Sequence, residues 1–176
     1  LDPLSRNNLL PAIQYDVSGV NVDPDIVEIH LGRKVAPGFF AWVIPLSHES
    51  ARVGLACRCL TPRTLLERFI KKRFGLRRVI KKTKVRYGLV VSNGPIKRTY
   101  KEKILVVGDA AGHVKPLTGG GVVLGGICAS IAGRVAGRAI TVEDTSETFL
   151  SRYERKWKEK LAGEFRITTF MRRVLS

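Results

Sequence analysis

A chain of 176 residues, 44% of them hydrophobic, has the length of one ordinary domain and enough apolar material for a core, which excludes disordered, collagen-like and disulfide-scaffold classes. Lysine and arginine number 31 against 15 aspartate and glutamate, a formal charge of 31 − 15 = +16. Sixteen basic residues between Arg58 and Lys103 meet only Glu67 and Glu102, so +14 of that charge lies in one segment and points to an anionic partner.

In chain order, Val27, Ile29 and Leu31 alternate with Glu28 and His30, which predicts a half-buried strand over 25–31. Further strands are predicted over 38–46 and 52–58, the latter with Val53, Leu55 and Cys57 on one face. The short polar link from Leu46 to Ser50 joins them as an antiparallel hairpin. Thr61 as N-cap and Pro62 as first residue open a helix whose stripe is Leu65, Leu66, Phe69, Ile70 and Phe74, ended by Gly75. Arg68, Lys71, Lys72 and Arg73 occupy its other face. Val85, Tyr87, Leu89 and Val91 alternate through a strand over 83–92 that Ser92-Asn93-Gly94-Pro95 turns.

Lys103 to Asp109 is continuously apolar until Gly108-Asp109, the pattern of a strand buried on both faces of a parallel sheet. No upstream βαβ unit in the chain supplies its neighbours. A small-residue helix follows over 119–140, with Ala129, Gly133 and Gly137 spaced for close packing on a sheet. Asp144 and Glu147 make a capping-box-like start to a last helix striped by Phe149, Leu150, Tyr153, Trp157 and Leu161.

The chemistry concentrates in Gly108-Asp-Ala-Ala-Gly-His-Val-Lys-Pro-Leu-Thr-Gly-Gly-Gly121. A carboxylate ends a buried strand, the edge where open α/β sheets bind ligands, and three glycines open the next helix. A helix N-terminus with bare glycine amides favours negative charge, and the acid before it can accept bonds from sugar-like hydroxyls, so an anionic polyol satisfies both. The string is neither a G-x-G-x-x-G fingerprint, since Leu124 takes the third glycine's place, nor a P-loop. Taken alone, its glycines could merely make a tight turn and permit close packing.

This string resembles the second flavin-binding motif of aromatic-hydroxylase-like flavoproteins and looks most like that of the geranylgeranyl reductase family. Upstream, Phe40-Ala-Trp-Val-Ile-Pro45 is similar to that family's aromatic-x-Trp-x-aromatic-Pro substrate motif, with Phe40 and Ile44 where Tyr and Phe are frequent. The resemblance implies FAD as cofactor, held by Gly108, Asp109, Gly112, Pro116, Thr118, Gly119, Gly120 and Gly121. Asp109 would bond the ribityl hydroxyls, and the 119–121 amides would face the N1 and O2 side of reduced flavin. Phe40, Trp42 and Pro45 would line a pocket for the prenyl chain. By strand parity Phe40 and Trp42 share one face, and Phe39 and Ala41 the other.

The expected fold is therefore α+β with an α/β part. An antiparallel substrate-domain sheet (1–100) is followed by the last strand, loop and helix of a Rossmann-like FAD domain (101–142) and a C-terminal helical segment (143–176). The N-terminal FAD half, with its glycine fingerprint, is missing by truncation or gene splitting, and is itself an expected partner. The implied activity of the complete protein is FAD-dependent saturation of geranylgeranyl double bonds in isoprenoid lipid biosynthesis, on a prenyl lipid or prenyl diphosphate. The alternatives are a flavin-dependent aromatic monooxygenase or halogenase, and a basic nucleic-acid-binding module without redox activity, the latter disfavoured.

The basic segment suits an anionic membrane surface, with a cytoplasmic protein peripheral on the inner membrane face. His113 is expected at the loop surface, facing solvent or packed on the cofactor. No histidine has an acid or cysteine at ligand spacing, so no metal is expected. Three cysteines fit a reducing compartment, with Cys57 and Cys59 on one strand face as small hydrophobes. The longest apolar stretch, 122–133, is about twelve residues, short of the roughly 18 that cross a bilayer. Leu1-Asp2-Pro3 has no signal-peptide character, and a start other than Met suggests a piece of something longer.

Overall fold

The computed structural model describes residues 4, 8–58, 61–75 and 81–175, which form two compact units: Leu10–Val90, and Val91–Leu175 with Asn8 and Leu9. Cys59 lies outside the described residues. The first unit contains β1 (Leu9–Ser18), β2 (Glu28–Leu31), β3 (Phe40–Ser47), β4 (Ser50–Ala56), α1 (Pro62–Phe74) and β5 (Lys81–Val91). Its sheet runs β2-β3-β4-β1-β5. The predicted hairpin is β3–β4, closed at Ser47 opposite Ser50 with a register shift after Pro45. The sequence reading missed β1, although Ile13, Tyr15 and Val17 alternate as a strand should; it takes an inner place, antiparallel to β4.

Alternation gives the sheet two unlike faces. Ile13, Tyr15, Val17, Ala41, Val43, Val53 and Leu55 point to one side and are sealed by Leu66, Phe69, Ile70 and Phe74 of α1. Pro62 opens α1 where a missing N–H costs nothing, and Gly75 ends it at φ 92. Thr61 makes no side-chain cap bond, so the expected cap is replaced by the proline start alone.

The expectation for β2 is inverted. Val27, Ile29 and Leu31 are exposed, Leu31 by 65%, while Glu28 and His30 turn inward. Glu28 accepts Arg73 Nε at 2.8 Å and pairs with His30, whose ring meets Phe69 edge-on at 4.8 Å. Arg73, seconded by His30, holds the Glu28 carboxyl down at about 2. In a four-residue edge strand, an ion pair to α1 outweighs two aliphatic contacts and sets which side faces in. β5 likewise alternates as predicted but exposes Val85, Tyr87 and Leu89.

The second unit holds β6 (Tyr100–Lys101), β7 (Ile104–Leu105), a 3-10 turn (Gly108–Ala111), α2 (Val122–Thr141) and α3 (Glu147–Leu175). The strand predicted over 103–109 is reduced to β7, two residues antiparallel to β6, with Ile104 46% exposed. A strand of the parallel, doubly covered kind needs flanking strands, and among the described residues β7 has only β6.

Leu124, Cys128, Ile131, Val135 and Ala139 of α2 pack on Phe149, Leu150, Tyr153, Trp157, Leu161 and Phe165 of α3, which confirms the last helix's stripe and extends it by a turn. The small residues Ala129, Gly133 and Gly137 face outward instead of into packing, because the larger aliphatic stripe takes the contact with α3. By length and composition α2 could cross a membrane, with a mean hydropathy of 1.3 over 18 residues. Its stripe toward α3 is buried, while Val122, Val123 and Ile140 stay exposed. The α3 start also differs from expectation. Ser146 Oγ accepts the Phe149 N–H at 3.2 Å and Asp144 accepts the Ser146 N–H at 3.0 Å, while Glu147 pairs with Arg98. Ser146 is therefore the cap, two residues beyond Asp144.

Leu55, opposite both Ile13 and Ala41, lies at the centre of the sheet–α1 core. Leu55→Ala is expected to lower unfolding stability by about 2–5 kcal/mol in urea titration. A loss within experimental error of zero would contradict this core assignment.

Candidate functional site

From the 3-10 turn to α2 the chain is shaped by glycines that other residues would replace at a cost in backbone strain. Gly108, Gly112 and Gly119 have φ of 64, 72 and 71°, the left-handed region that side chains disfavour. A Cβ on Gly112 would also strike the Gly94 carbonyl oxygen. The loop closes on itself through His113 N–H to Gly108 O at 3.0 Å, Gly119 N–H to Lys115 O at 2.9 Å and Lys115 N–H to Gly120 O at 3.1 Å. Thr118 Oγ1 accepts weakly from the Gly120 N–H at 3.4 Å.

This closure brings the acid to the helix tip. A Cβ on Gly121 would stand 2.6 Å from Asp109 Oδ1, so the carboxylate lies in the space that the missing side chain leaves. Gly121 precedes α2, which has no side-chain cap and no acid in its first turn. An exposed carboxylate and a set of helix-start N–H groups thus share one small surface. Of the eight residues expected to hold the cofactor, Asp109, Thr118 and Gly120 are exposed, and Gly108, Gly119 and Gly121 are partly so. Gly112 and Pro116 are buried and shape the loop from beneath.

α3 braces that underside. Arg172 Nη1 donates to Pro116 O at 3.0 Å, and Glu164 pairs with Lys115 at 2.9 Å. Trp157 Nε1 and the Glu154 carboxylate both bond Thr99, and Tyr153 donates to Val106 O at 2.9 Å. His113 is corrected from a surface residue to a core one. It is 0% exposed, packed against Trp157 at 4.9 Å and near Tyr153 and Phe165, and neither ring nitrogen has a partner. Burial drives its pKa down to about 4, so it is a neutral packing element. Burial also pushes the Cys128 thiol up to about 11, which leaves it unreactive.

On the other unit, the sheet face away from α1 carries Phe40 and Trp42 together, their rings 6.1 Å apart at 73°. Phe39 stacks on Phe40 at 4.2 Å, contrary to strict alternation, because β3 begins only at Phe40. The indole lies across a row of three strands. Trp42 stands opposite Gly54, Gly54 opposite Gln14, and Trp42 Nε1 donates to Gln14 Oε1 at 3.0 Å. A Cβ on Gly54 would come within 2.5 Å of the indole, so the glycine is what lets the ring lie flat. Gly54 and Gln14 were missed in the sequence reading, although a glycine inside Val53-Gly-Leu55 signals a close approach.

Pro45 is not part of this surface by register, since it pairs with Ala51 and alternates to the α1 side. It lies past the last β2 rung, Glu28 opposite Val43, where β3 has lost that neighbour and tolerates proline. Beyond Ile44 the same face turns polar. Asp16 accepts from Arg52 Nε at 3.1 Å and from Arg86 Nη1 at 2.7 Å and Nη2 at 3.0 Å, and Arg86 above all holds its carboxyl down at about 2. Among the described residues no three His, Cys, Asp or Glu gather as a metal site.

The antiparallel sheet sealed by α1, and the glycine-shaped loop leading into α2 and α3, have counterparts among solved structures. A flavin-dependent brominase matches 94% of this chain and 46% of its own at TM-score 0.63, but at 14% identity the likeness is one of fold alone. Residues 9–90 match the geranylgeranyl reductase catalytic domain family. A geranylgeranyl bacteriochlorophyll reductase-like protein from Thermoplasma acidophilum superposes at TM-score 0.87 and 28% identity, over 98% of this chain and 44% of that one. Digeranylgeranylglycerophospholipid reductase 2 of Methanothermobacter thermautotrophicus is 40% identical over 173 residues, 96% of this chain. The chain belongs to the geranylgeranyl reductase family, and spans 44% of the length of that relative.

Gly54→Ala is expected to push the Trp42 indole off its row, shifting tryptophan emission and costing about 1–3 kcal/mol. Unchanged emission would show that the ring is not held by that glycine. His113 is neutral when folded and titrates near 6.5 when unfolded, so the unfolded chain binds the extra proton and stability falls as pH drops from about 6.5 to 4. The loss is up to about 3 kcal/mol, from 2.5 pH units at 1.36 kcal/mol each, and levels off below pH 4. His113→Phe should remove that leg of a melting-temperature–pH curve; a curve of the same shape would refute the assignment.

Proposed function

We propose that this chain supplies the riboflavin-side loop and the prenyl-binding sheet face of an FAD-dependent reductase that saturates geranylgeranyl double bonds in isoprenoid lipid biosynthesis. The observation that carries the reading is the Asp109 carboxylate resting in the gap left by Gly121 at the uncapped start of α2. That cradle fits a ligand with hydroxyls next to delocalised negative charge, as the ribityl chain and reduced ring of a flavin present. Asp109 would accept from the hydroxyls. The Gly121 amide and those of the first turn of α2 would face the charge, while Gly119 and Gly120, whose N–H groups bond within the loop, would with Gly108, Gly112, Pro116 and Thr118 fix its shape. The chemistry supplied by bound, reduced FAD is hydride transfer.

The chain's own part is to bind, orient and exclude water. Phe40 and Trp42, held rigid by Gly54 and Gln14, offer a flat apolar surface on which an isoprenoid chain can lie without hydrogen bonds to satisfy. Pro45 supports that strand from its other side. The curated relatives' name, digeranylgeranylglycerophospholipid reductase, supports a prenyl lipid as substrate. Such a substrate resides in a membrane, and the exposed Arg68, Lys71 and Lys72 of α1 support peripheral contact with an anionic surface on the cytoplasmic side.

In the full gene product, Asp109→Ala is expected to weaken FAD retention about tenfold or more, a lost charge-assisted bond of about 1.5–3 kcal/mol. Equilibrium dialysis showing undiminished flavin would remove the carboxylate from the site. Trp42→Ala is expected to lower turnover of long prenyl chains while FAD affinity stays within about twofold. A parallel loss of both would assign the indole to stability instead.

A further inference from the structure

The aromatic face of the sheet ends in a cluster that its own electrostatics does not require. Two residues beyond Trp42 on β3, Ile44 stands opposite Arg52, and Arg52 stands opposite Asp16. Asp16 is shared by Arg52 and Arg86, two positive charges on one carboxylate, a local balance of 2 − 1 = +1. One arginine would neutralise the acid. Asp16 is 14% exposed, but Arg52 and Arg86 keep 36% and 34% of their side chains open, so the surplus charge faces outward. Each guanidinium has five N–H donors, and the three bonds to Asp16 leave most of them free for a ligand.

The spacing matches a head and a tail. Along an antiparallel strand two residues cover about 7 Å and four about 14 Å, so the cluster lies one step from Trp42 and two from Phe40. An anion at the arginines would have its attached chain directed over Ile44 and the indole. Forked guanidiniums recognise phosphate oxygens in pairs, and an acid already engaged through both oxygens holds the forks in place without opposing the ligand strongly.

Building on the reductase reading, we infer that Arg52 and Arg86, positioned by Asp16, seat the phosphate at the head of the isoprenoid substrate. The tail of that substrate then runs along Ile44 and Trp42 toward Phe40. Phosphate is common to a prenyl diphosphate and to a prenyl glycerophospholipid, and the seat recognises that shared group.

The test is equilibrium binding to the full gene product in neutral detergent, with geranylgeranyl diphosphate, a geranylgeranyl glycerophosphate ether and uncharged geranylgeraniol as probes. Arg52→Gln and Arg86→Gln, made singly so that Asp16 keeps one partner, are expected to weaken the phosphorylated probes about tenfold and to leave the alcohol within about twofold. Arg86→Lys, which keeps the charge and loses the fork, should fall between. A loss confined to one phosphorylated probe also supports the seat and tells which source of phosphate it serves. Undiminished binding of both phosphorylated probes overturns the seat alone, as does an equal loss for the alcohol, which would mark the arginines as structural. Wild-type protein that binds none of the three overturns the seat together with the reductase reading.

Discussion

A side chain is missing at Gly121, and the Asp109 carboxylate fills the space. Other features of the second unit serve that meeting. Left-handed glycines at 108, 112 and 119 fold the loop back so that residues twelve apart in sequence touch. α3 props the loop with Arg172 beneath Pro116 and Glu164 beneath Lys115, and a dry aromatic packing of Trp157, Phe165 and His113 fills the space below. A carboxylate next to an uncapped helix start would ordinarily cap it. Here the acid comes from the preceding turn and stays exposed, leaving acceptor and donors side by side for a ligand.

The first unit solves a different problem with the same economy of side chains. One sheet face is sealed by α1, and alternation along β1, β3 and β4 decides which residues go to it and which to the other. Gly54 again works by absence, letting an indole lie flat across three strands. The row of Trp42, Gly54 and Gln14 and the row of Ile44, Arg52 and Asp16 are adjacent rungs, so an apolar surface and a charged one meet within about 7 Å. Such a gradient is what an amphipathic molecule with one charged end requires of a rigid wall.

Local pattern made much of this legible. The hairpin at 46–50, the α1 stripe and the α3 stripe follow from periodicity, and the glycine string identifies its loop. The failures share a physical cause: they lie where a partner distant in sequence decides the outcome. Glu28 turns inward because Arg73 waits on α1, and β7 shrinks because no flanking strands stand beside it. His113 is drawn into the core by aromatic rings forty or more positions later on α3, which no window around the loop contains. At the candidate site, motifs are what nominate the eight loop residues and the pair Phe40 and Trp42. Gly54, Gln14 and the Asp16 cluster could not, because they join only through strand register.

The most direct measurement is an FAD titration of the full gene product carrying Gly121→Ala, with melting temperature followed in parallel. This change keeps Asp109 and the helix but puts a methyl where the carboxylate rests. The expected result is a loss of flavin affinity of about tenfold or more with little change in melting temperature. Unaltered affinity would mean that the position of the acid at the helix tip is not what holds the cofactor.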